Sequence, residues 1–197
     1  MSGYCAFAPG DPVHASYHGT EYGFPQRDEA VLFERLCLEI FQAGLSWGLV
    51  LRRRAGMREA FAGFEVDALA AFSQADQARL LADPRIIRNR LKVAAVVENA
   101  RRVQALRASH DGFASWLDAH HPQDKPDWVK LFKRQFLFTG GEITGEFLIS
   151  LGYLPGAHAP DCPVAATIAR LRPPWMRTLP APPAAARRRA ARPAAGG

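Results

Sequence analysis

Cysteine is scarce in this chain, at three of 197 residues. Three thiols cannot all pair with one another, so a disulfide framework is excluded as the main source of stability, and reduced thiols in a cytoplasmic setting are expected. Long apolar runs are missing as well. The longest aliphatic run, Val93 to Val97, falls far short of the ~18 residues that span a bilayer, which excludes a membrane partner. The first residues, Met1-Ser2-Gly3-Tyr4-Cys5, have no basic segment followed by an apolar one, so no secretory signal is visible. Sustained period-two alternation and internal repeats are also absent, which argues against a sheet protein or a solenoid. Finally, acids are missing from residues 173–197, which carry five arginines. Without those arginines the remaining 20 basic and 19 acidic residues nearly balance, so the sequence pI of 9.6 reflects the tail and not the body. Binding to nucleic acid must therefore be argued from local clusters.

What is present is a globular composition, 48% hydrophobic and 10% aromatic, long enough for one domain over residues 1–172. Residues 173–197 are Pro-, Ala- and Arg-rich and read as a disordered tail. The body reads as all-α. Asp28 is placed to cap a helix whose apolar positions Leu32, Phe33, Leu36, Cys37, Ile40 and Phe41 recur at helical spacing, with Gly44 as its stop. Ser73 and Asp76 have capping-box spacing. A long helix is expected over about Leu91 to Leu106, and shorter ones near Pro12–Tyr17, Phe113–His120, Trp128–Arg134, Glu142–Leu151 and Val164–Leu171.

Four local patterns carry chemistry. Cys5 and His18 lie near one end of the chain, His158 and Cys162 near the other. Thiolate and imidazole are zinc ligands, and a site with all four positions filled by protein is structural. The i,i+4 spacing of His158 and Cys162 would aim both at one point if that turn were helical. The Cys5–His18 spacing is not a usual finger spacing, and scattered Cys and His pair by chance. Second, Gly140 and Gly141 form a turn that opens a helix, a geometry suited to a phosphate, although most Gly-Gly pairs are only turns. Third, Pro84 to Lys92 holds Arg85, Arg88, Arg90 and Lys92 with no acid, either a solvated helix end or a phosphate-contacting loop. Fourth, Glu39 borders the apolar stripe of its helix, ahead of Gln42-Ala43-Gly44-Leu45-Ser46-Trp47. A carboxylate and an indole there could line a pocket, but a helix-flank glutamate is ordinarily solvated and a tryptophan is ordinarily core.

These segments, taken in order, resemble the 3-methyladenine DNA glycosylase I family. The matching pieces are Cys5; Tyr17-His18 followed by Glu21 and Gly23; Leu38-Glu39 with Gln42 to Trp47; Ile86-Ile87-Arg88-Asn89-Arg90-Leu91-Lys92; and His158-x3-Cys162. They extend over about residues 3 to 165. The resemblance implies a compact, all-helical, helix-hairpin-helix glycosylase fold, with one structural zinc per chain on Cys5, His18, His158 and Cys162. It implies Glu39 as the catalytic residue and a base pocket of Tyr17, Glu39, Trp47, Phe7 and Tyr22. It implies DNA-backbone contacts from Gly140, Gly141, Arg88, Arg90 and Lys92.

The implied activity is base-excision repair by hydrolysis of the N-glycosidic bond of 3-methyladenine, without a lyase step. The implied partner is double-stranded DNA with a flipped alkylated base, engaged by a monomer. The chain departs from the family pattern where Phe7 and Tyr22 stand for tryptophans, where Glu142 follows the glycine pair, and where Ala157 stands for an aspartate. Those departures support an alternative, a zinc-stabilised glycosylase-like DNA-binding protein with weak or altered base specificity. A zinc hydrolase does not fit, because protein side chains would fill the whole coordination sphere.

Overall fold

The computed structural model of the chain describes residues 3–177. Among them there is no strand. Eleven helices follow in order: α1 Tyr4–Phe7, α2 Ala15–Thr20, α3 Glu29–Gln42, α4 Trp47–Ala60, α5 Val66–Ala70, α6 Gln74–Ala82, α7 Arg90–His110, α8 Phe113–His120, α9 Lys125–Gln135, α10 Gly141–Ser150 and α11 Pro163–Leu171. None of the helices is long and apolar enough to cross a membrane.

Side-chain caps set five of the eleven helix starts. Asp28 accepts a hydrogen bond from the Val31 amide at 3.0 Å and begins α3. Ser73 and Asp76 form both halves of the expected capping box before α6. Asn89 accepts from the Leu91 and Lys92 amides to start α7, which runs past Leu106 to His110 and ends at Asp111 in the left-handed region. The expected helix near Pro12–Tyr17 starts later, at Ala15, because the Asp11 carboxylate holds the Val13 and His14 amides in a turn. Helix α4 was not apparent from sequence periodicity. Its surface face is arginine-rich and it contains Gly56, whose missing side chain is a packing requirement. A Cβ there would lie 2.8 Å from Arg85 Cβ.

Helix α3 is the axis of the fold. Every residue from Leu32 to Phe41 is buried, and α3 packs against α4, α5, α7, α8 and α10. Ten consecutive buried positions exceed what one amphipathic stripe provides. Three of the buried side chains are acidic or basic: Glu34, Arg35 and Glu39. Two of them are partnered. Arg54 of α4 bonds Glu34 through Nε at 3.0 Å and grips both carboxylate oxygens of Glu21 at 2.7 and 2.8 Å, while Arg58 adds a second cation to Glu34. Arg35 donates to the carbonyls of Glu21 and Ser150 at 2.9 and 2.8 Å. The Glu21–Gly23 segment is thereby fixed to α3, to α4 and to the end of α10. Gly23 completes the clamp. Its amide donates to Ser150 O at 2.8 Å, and at φ +86° a Cβ would meet Ala157 Cβ at 2.7 Å.

The connection between α9 and α10 is tied down from α7. Asn99, fully buried, accepts from the Leu137 amide at 2.8 Å and donates to its carbonyl at 3.0 Å. The Thr139 hydroxyl donates to Phe132 O at 2.9 Å. The Pro173–Arg177 stretch departs from the expected disordered tail. The Trp175 amide donates to Gly152 O at 3.0 Å, and Pro174 is buried. The remainder of the tail lies outside the described residues.

The Glu21–Arg54–Glu34 network leads to one prediction. Arg54→Ala leaves a buried carboxylate with only the half-exposed Arg58, a loss of about 3 kcal/mol. At about 2–4 °C per kcal/mol for a chain of this size, the melting temperature followed by circular dichroism falls by roughly 6–12 °C. An unchanged midpoint would mean that the network carries no stability.

Candidate functional site

A cavity of about 320 Å³ opens beside the buried end of α3, lined by Tyr4, Tyr17, Tyr22, Glu39, Gln42, Trp47 and Glu146. That volume sits at the lower end of the ~300–1,000 Å³ range of small-molecule sites. Each wall comes from a different element. Tyr4 is on α1, Tyr17 on α2, Tyr22 on the clamped segment, Glu39 and Gln42 on α3, Trp47 at the start of α4, and Glu146 on α10. The rings pack on one another: Tyr17 lies 5.0 Å from Trp47 and 5.7 Å from Tyr22, centroid to centroid. Ser46 caps α4 and so fixes the indole of the first helical residue.

Glu39 is 5% exposed, and its carboxyl accepts no hydrogen bond from any described residue. Burial, and then the charge of Glu146, pushes its pKa from 4.5 up to about 8. Burial also raises the Tyr17 phenol well above its usual value, helped by the Glu39 charge beside it. Tyr22 is raised by burial and then by Glu146, whose Oε2 accepts the Tyr22 hydroxyl at 3.0 Å. The tyrosines are therefore hydrogen-bond donors throughout the neutral range. No lysine or arginine lines the cavity. Aromatic faces with carboxyls and no resident cation suit a flat, positively charged ring that carries hydrogen-bond donors.

Of the five residues expected at the pocket, the structure brings together Tyr17, Tyr22, Glu39 and Trp47 and leaves out Phe7. Phe7 is 54% exposed and leans on His14, with ring centroids 5.1 Å apart. Tyr4, three residues earlier on the same helix, lines the cavity instead, and its ring contacts His14, His18 and Tyr22 edge-on. Sequence reasoning missed Tyr4, Gln42 and Glu146 as lining residues. The available signal for Glu146 was a carboxylate placed between apolar Ile143 and Phe147 on a short helix.

Cys5, His18, His158 and Cys162 converge as expected, with their ligating atoms all within 4.8 Å of one another. Cys5 Sγ and Cys162 Sγ each lie 3.6 Å from His158 Nδ1, and Cys162 Sγ lies 3.8 Å from His18 Nε2. A tetrahedral metal with ordinary Zn–S and Zn–N bonds separates its ligand atoms by about 3.3–3.8 Å, so the cluster fits. His158 Nε2–H donates to Tyr22 O at 2.8 Å, which leaves Nδ1 free to ligate. Burial lowers the pKa of both histidines and raises that of Cys5. Neutral imidazoles are ready ligands, and buried thiols give up their protons when a cation balances the charge. The expected helical turn between His158 and Cys162 is not helical. A tight turn, closed by Cys162 N to Ala159 O at 2.9 Å, aims the two side chains instead, and α11 starts only at Pro163.

Gly140 and Gly141 open α10, and no atom lies within 4 Å of a Cβ built on either. Glu142 just beyond is paired with Lys125 at 3.3 Å. Arg88 and Arg90 are exposed. Lys92 corrects an expectation. It is buried, and its ammonium donates to Phe41 O at 3.0 Å and Ala43 O at 2.6 Å. It satisfies the last carbonyls of α3, which have no helical partners, and is therefore not available to a DNA phosphate.

Comparison with known proteins supplies an independent line. The family model for methyladenine glycosylases matches residues 7–139. The DNA-3-methyladenine glycosylase 1 of Escherichia coli (strain K12) is 38% identical over 177 residues, covering 80% of this chain and 94% of that protein. The DNA-3-methyladenine glycosylase of Haemophilus influenzae is 32% identical over 182 residues, covering 83% and 98%. A crystal structure of a point variant of 3-methyladenine DNA glycosylase I in complex with 3-methyladenine matches with a TM-score of 0.74 at 30% identity, over 83% of this chain and 97% of that one. A structure of the Staphylococcus aureus 3-methyladenine DNA glycosylase I matches with a TM-score of 0.73 at 30% identity, over 81% and 95%.

The raised Glu39 pKa makes a prediction for stability. A group that binds its proton more tightly in the folded state weakens the fold as pH climbs from its unfolded to its folded pKa. Glu39→Gln removes that dependence. The two proteins melt together near pH 4.5, the variant gains as pH rises, and the gap levels off above about pH 8. The gain is several degrees, at about 2–4 °C per kcal/mol. Parallel melting curves at every pH would show that Glu39 titrates like a solvated acid.

Proposed function

This chain belongs to the methyladenine glycosylase family, and from that membership we propose that it hydrolyses the N-glycosidic bond of 3-methyladenine in alkylated DNA, as a monofunctional base-excision repair glycosylase. The observation that carries the reading is the cavity itself, walled by tyrosines and a tryptophan, holding two carboxyls and no basic side chain.

The chemistry follows from those walls. Methylation at N3 places a positive charge on the adenine and makes it a good leaving group without a strong general acid. The protein has three tasks: extrude the nucleotide from the duplex, hold the cationic ring and satisfy its polar edge. Trp47 and Tyr17 offer π faces to a cation. Glu39, neutral in the empty cavity at pH 7, ionises when a positive ring enters, because the cation offsets the burial and the Glu146 charge that favoured its proton. Its carboxylate then accepts from the base and favours the charged form. Water completes the hydrolysis at a sugar with oxocarbenium character. No lysine lines the cavity, in keeping with a reaction that has no Schiff-base or lyase step.

The helix-hairpin-helix role is assigned to the α9–α10 connection. There the Gly140–Gly141 amides meet a backbone phosphate at the start of α10, with exposed Arg88 of the preceding loop and Arg90 at the start of α7 as further contacts. The protein acts as a monomer on double-stranded DNA with the base flipped. One zinc on Cys5, His18, His158 and Cys162 is structural, joining the N-terminal helices that carry Tyr4 and Tyr17 to the segment before α11.

Single-turnover release of bases from methylated DNA tests the activity. The parent releases 3-methyladenine, at a rate that rises with pH along a limb at or below about 8. Glu39→Gln slows release about ten- to a hundredfold, the worth of one charge-assisted hydrogen bond of ~1.5–3 kcal/mol, and flattens the limb. Binding to methylated DNA with no base released would support the binding-protein alternative instead.

Metal analysis tests the cluster. Purified protein holds about one zinc per chain, and Cys162→Ser lowers zinc content and melting temperature together. Well-folded protein without any bound metal would exclude the assignment.

A further inference from the structure

We propose that Glu146 is a second base-contacting carboxylate of the cavity, a specificity-determining residue that selects purines carrying both a positive charge and a hydrogen-bond-donor edge. The proposal rests on the glycosylase reading of the same cavity. Glu146 lies on α10 between buried Gly145 and Phe147 and lines the cavity together with Glu39 of α3. One of its oxygens, Oε2, accepts the Tyr22 hydroxyl at 3.0 Å. The other accepts no hydrogen bond from a described residue. A half-buried glutamate is ordinarily balanced by a cation, but the lysine at this helix end, Lys125, is paired with Glu142 one turn earlier. Glu146 therefore faces the cavity with a tyrosine to orient it and no cation to neutralise it.

The groups around the two carboxyls are Tyr4, Tyr17 and Tyr22, all pushed towards the protonated form by burial. None of them supplies positive charge. Two carboxyls in one cavity oppose each other's ionisation, and the Glu146 charge adds to burial, the larger cause, in raising the Glu39 pKa. Such a local conflict is characteristic of functional sites, where a ligand resolves it. A neutral purine offers donors but leaves the charge conflict in place. A cationic purine removes it, and an exocyclic amino group or ring N–H gives the open Glu146 oxygen a donor. Tyr22 acts as a positioning residue in this scheme, because its hydroxyl orients the carboxylate.

Calorimetric binding to the full chain tests this with two probes, 3,9-dimethyladeninium as a fixed cation and 9-methyladenine as its neutral counterpart. The parent binds the cation more tightly. Glu146→Gln keeps an acceptor for Tyr22 and so keeps the fold, but shrinks the cation preference about tenfold, the scale of one charge-assisted contact, while affinity for the neutral probe changes less than twofold. Tyr22→Phe reduces the preference in the parent and adds nothing in the Glu146→Gln background, since the two changes act on one contact. An unchanged preference in Glu146→Gln, or no cation preference in the parent, overturns the proposal. Failure of the glycosylase reading shows separately, as parent protein that binds the cation yet releases no 3-methyladenine from methylated DNA.

Discussion

A carboxyl group buried without a counter-charge is the constraint around which this molecule is organised. Helix α3 buries three acidic or basic side chains, and the protein treats them differently. Glu34 receives two arginines and Arg35 receives two carbonyls. Glu39, on the same helix and equally enclosed, is given aromatic walls and a second acid. Isolated carboxylates are costly away from water, and a protein that leaves one there holds it neutral until something compensates. In the proposed reading the compensation is the bound base, which would make the least comfortable position in the core also the most informative about function.

Holding such a cavity open requires walls that do not relax onto the acid. The structure secures them at three places. Arg35 and Arg54 clamp Glu21–Gly23 to the central helix, which sets Tyr22. The Cys/His cluster ties α1 and α2, carriers of Tyr4 and Tyr17, to a turn more than 130 residues further along the chain. Asn99 fixes the α9–α10 connection from the long helix, which sets α10 and with it Glu146. Stability and function meet most directly at His158: one ring nitrogen faces the thiols, and the other holds the carbonyl of Tyr22.

What was legible in the sequence was what depends on neighbours along the chain. Asp28 and Ser73 cap helices through atoms three residues away, and the apolar stripe of α3 follows from helical spacing. The Cys/His convergence and the Tyr17–Glu39–Trp47 grouping were legible through resemblance, because those residues sit in distinctive strings. What stayed hidden depends on distant partners. Lys92 looked like part of a basic phosphate-binding cluster, but the exposed carbonyls at the end of α3 captured it. Phe7 was placed in the pocket by resemblance, yet Tyr4 lines the cavity. Helix α4 was obscured by Gly56, which only the close passage of Arg85 explains. Glu146 lines the cavity beside Tyr22, a residue 124 positions earlier in the chain.

The central claim, that Glu39 is held neutral and releases its proton to solvent when a cationic ring binds, is tested most directly by counting protons. Calorimetric titration with 3,9-dimethyladeninium at pH 7, repeated in buffers of different ionisation enthalpy, measures protons released per ligand bound. With a Glu39 pKa near 8, the account predicts release close to one proton per chain, abolished in Glu39→Gln. Binding with no proton release in the parent would show that Glu39 is already ionised in the empty cavity, and would contradict the account.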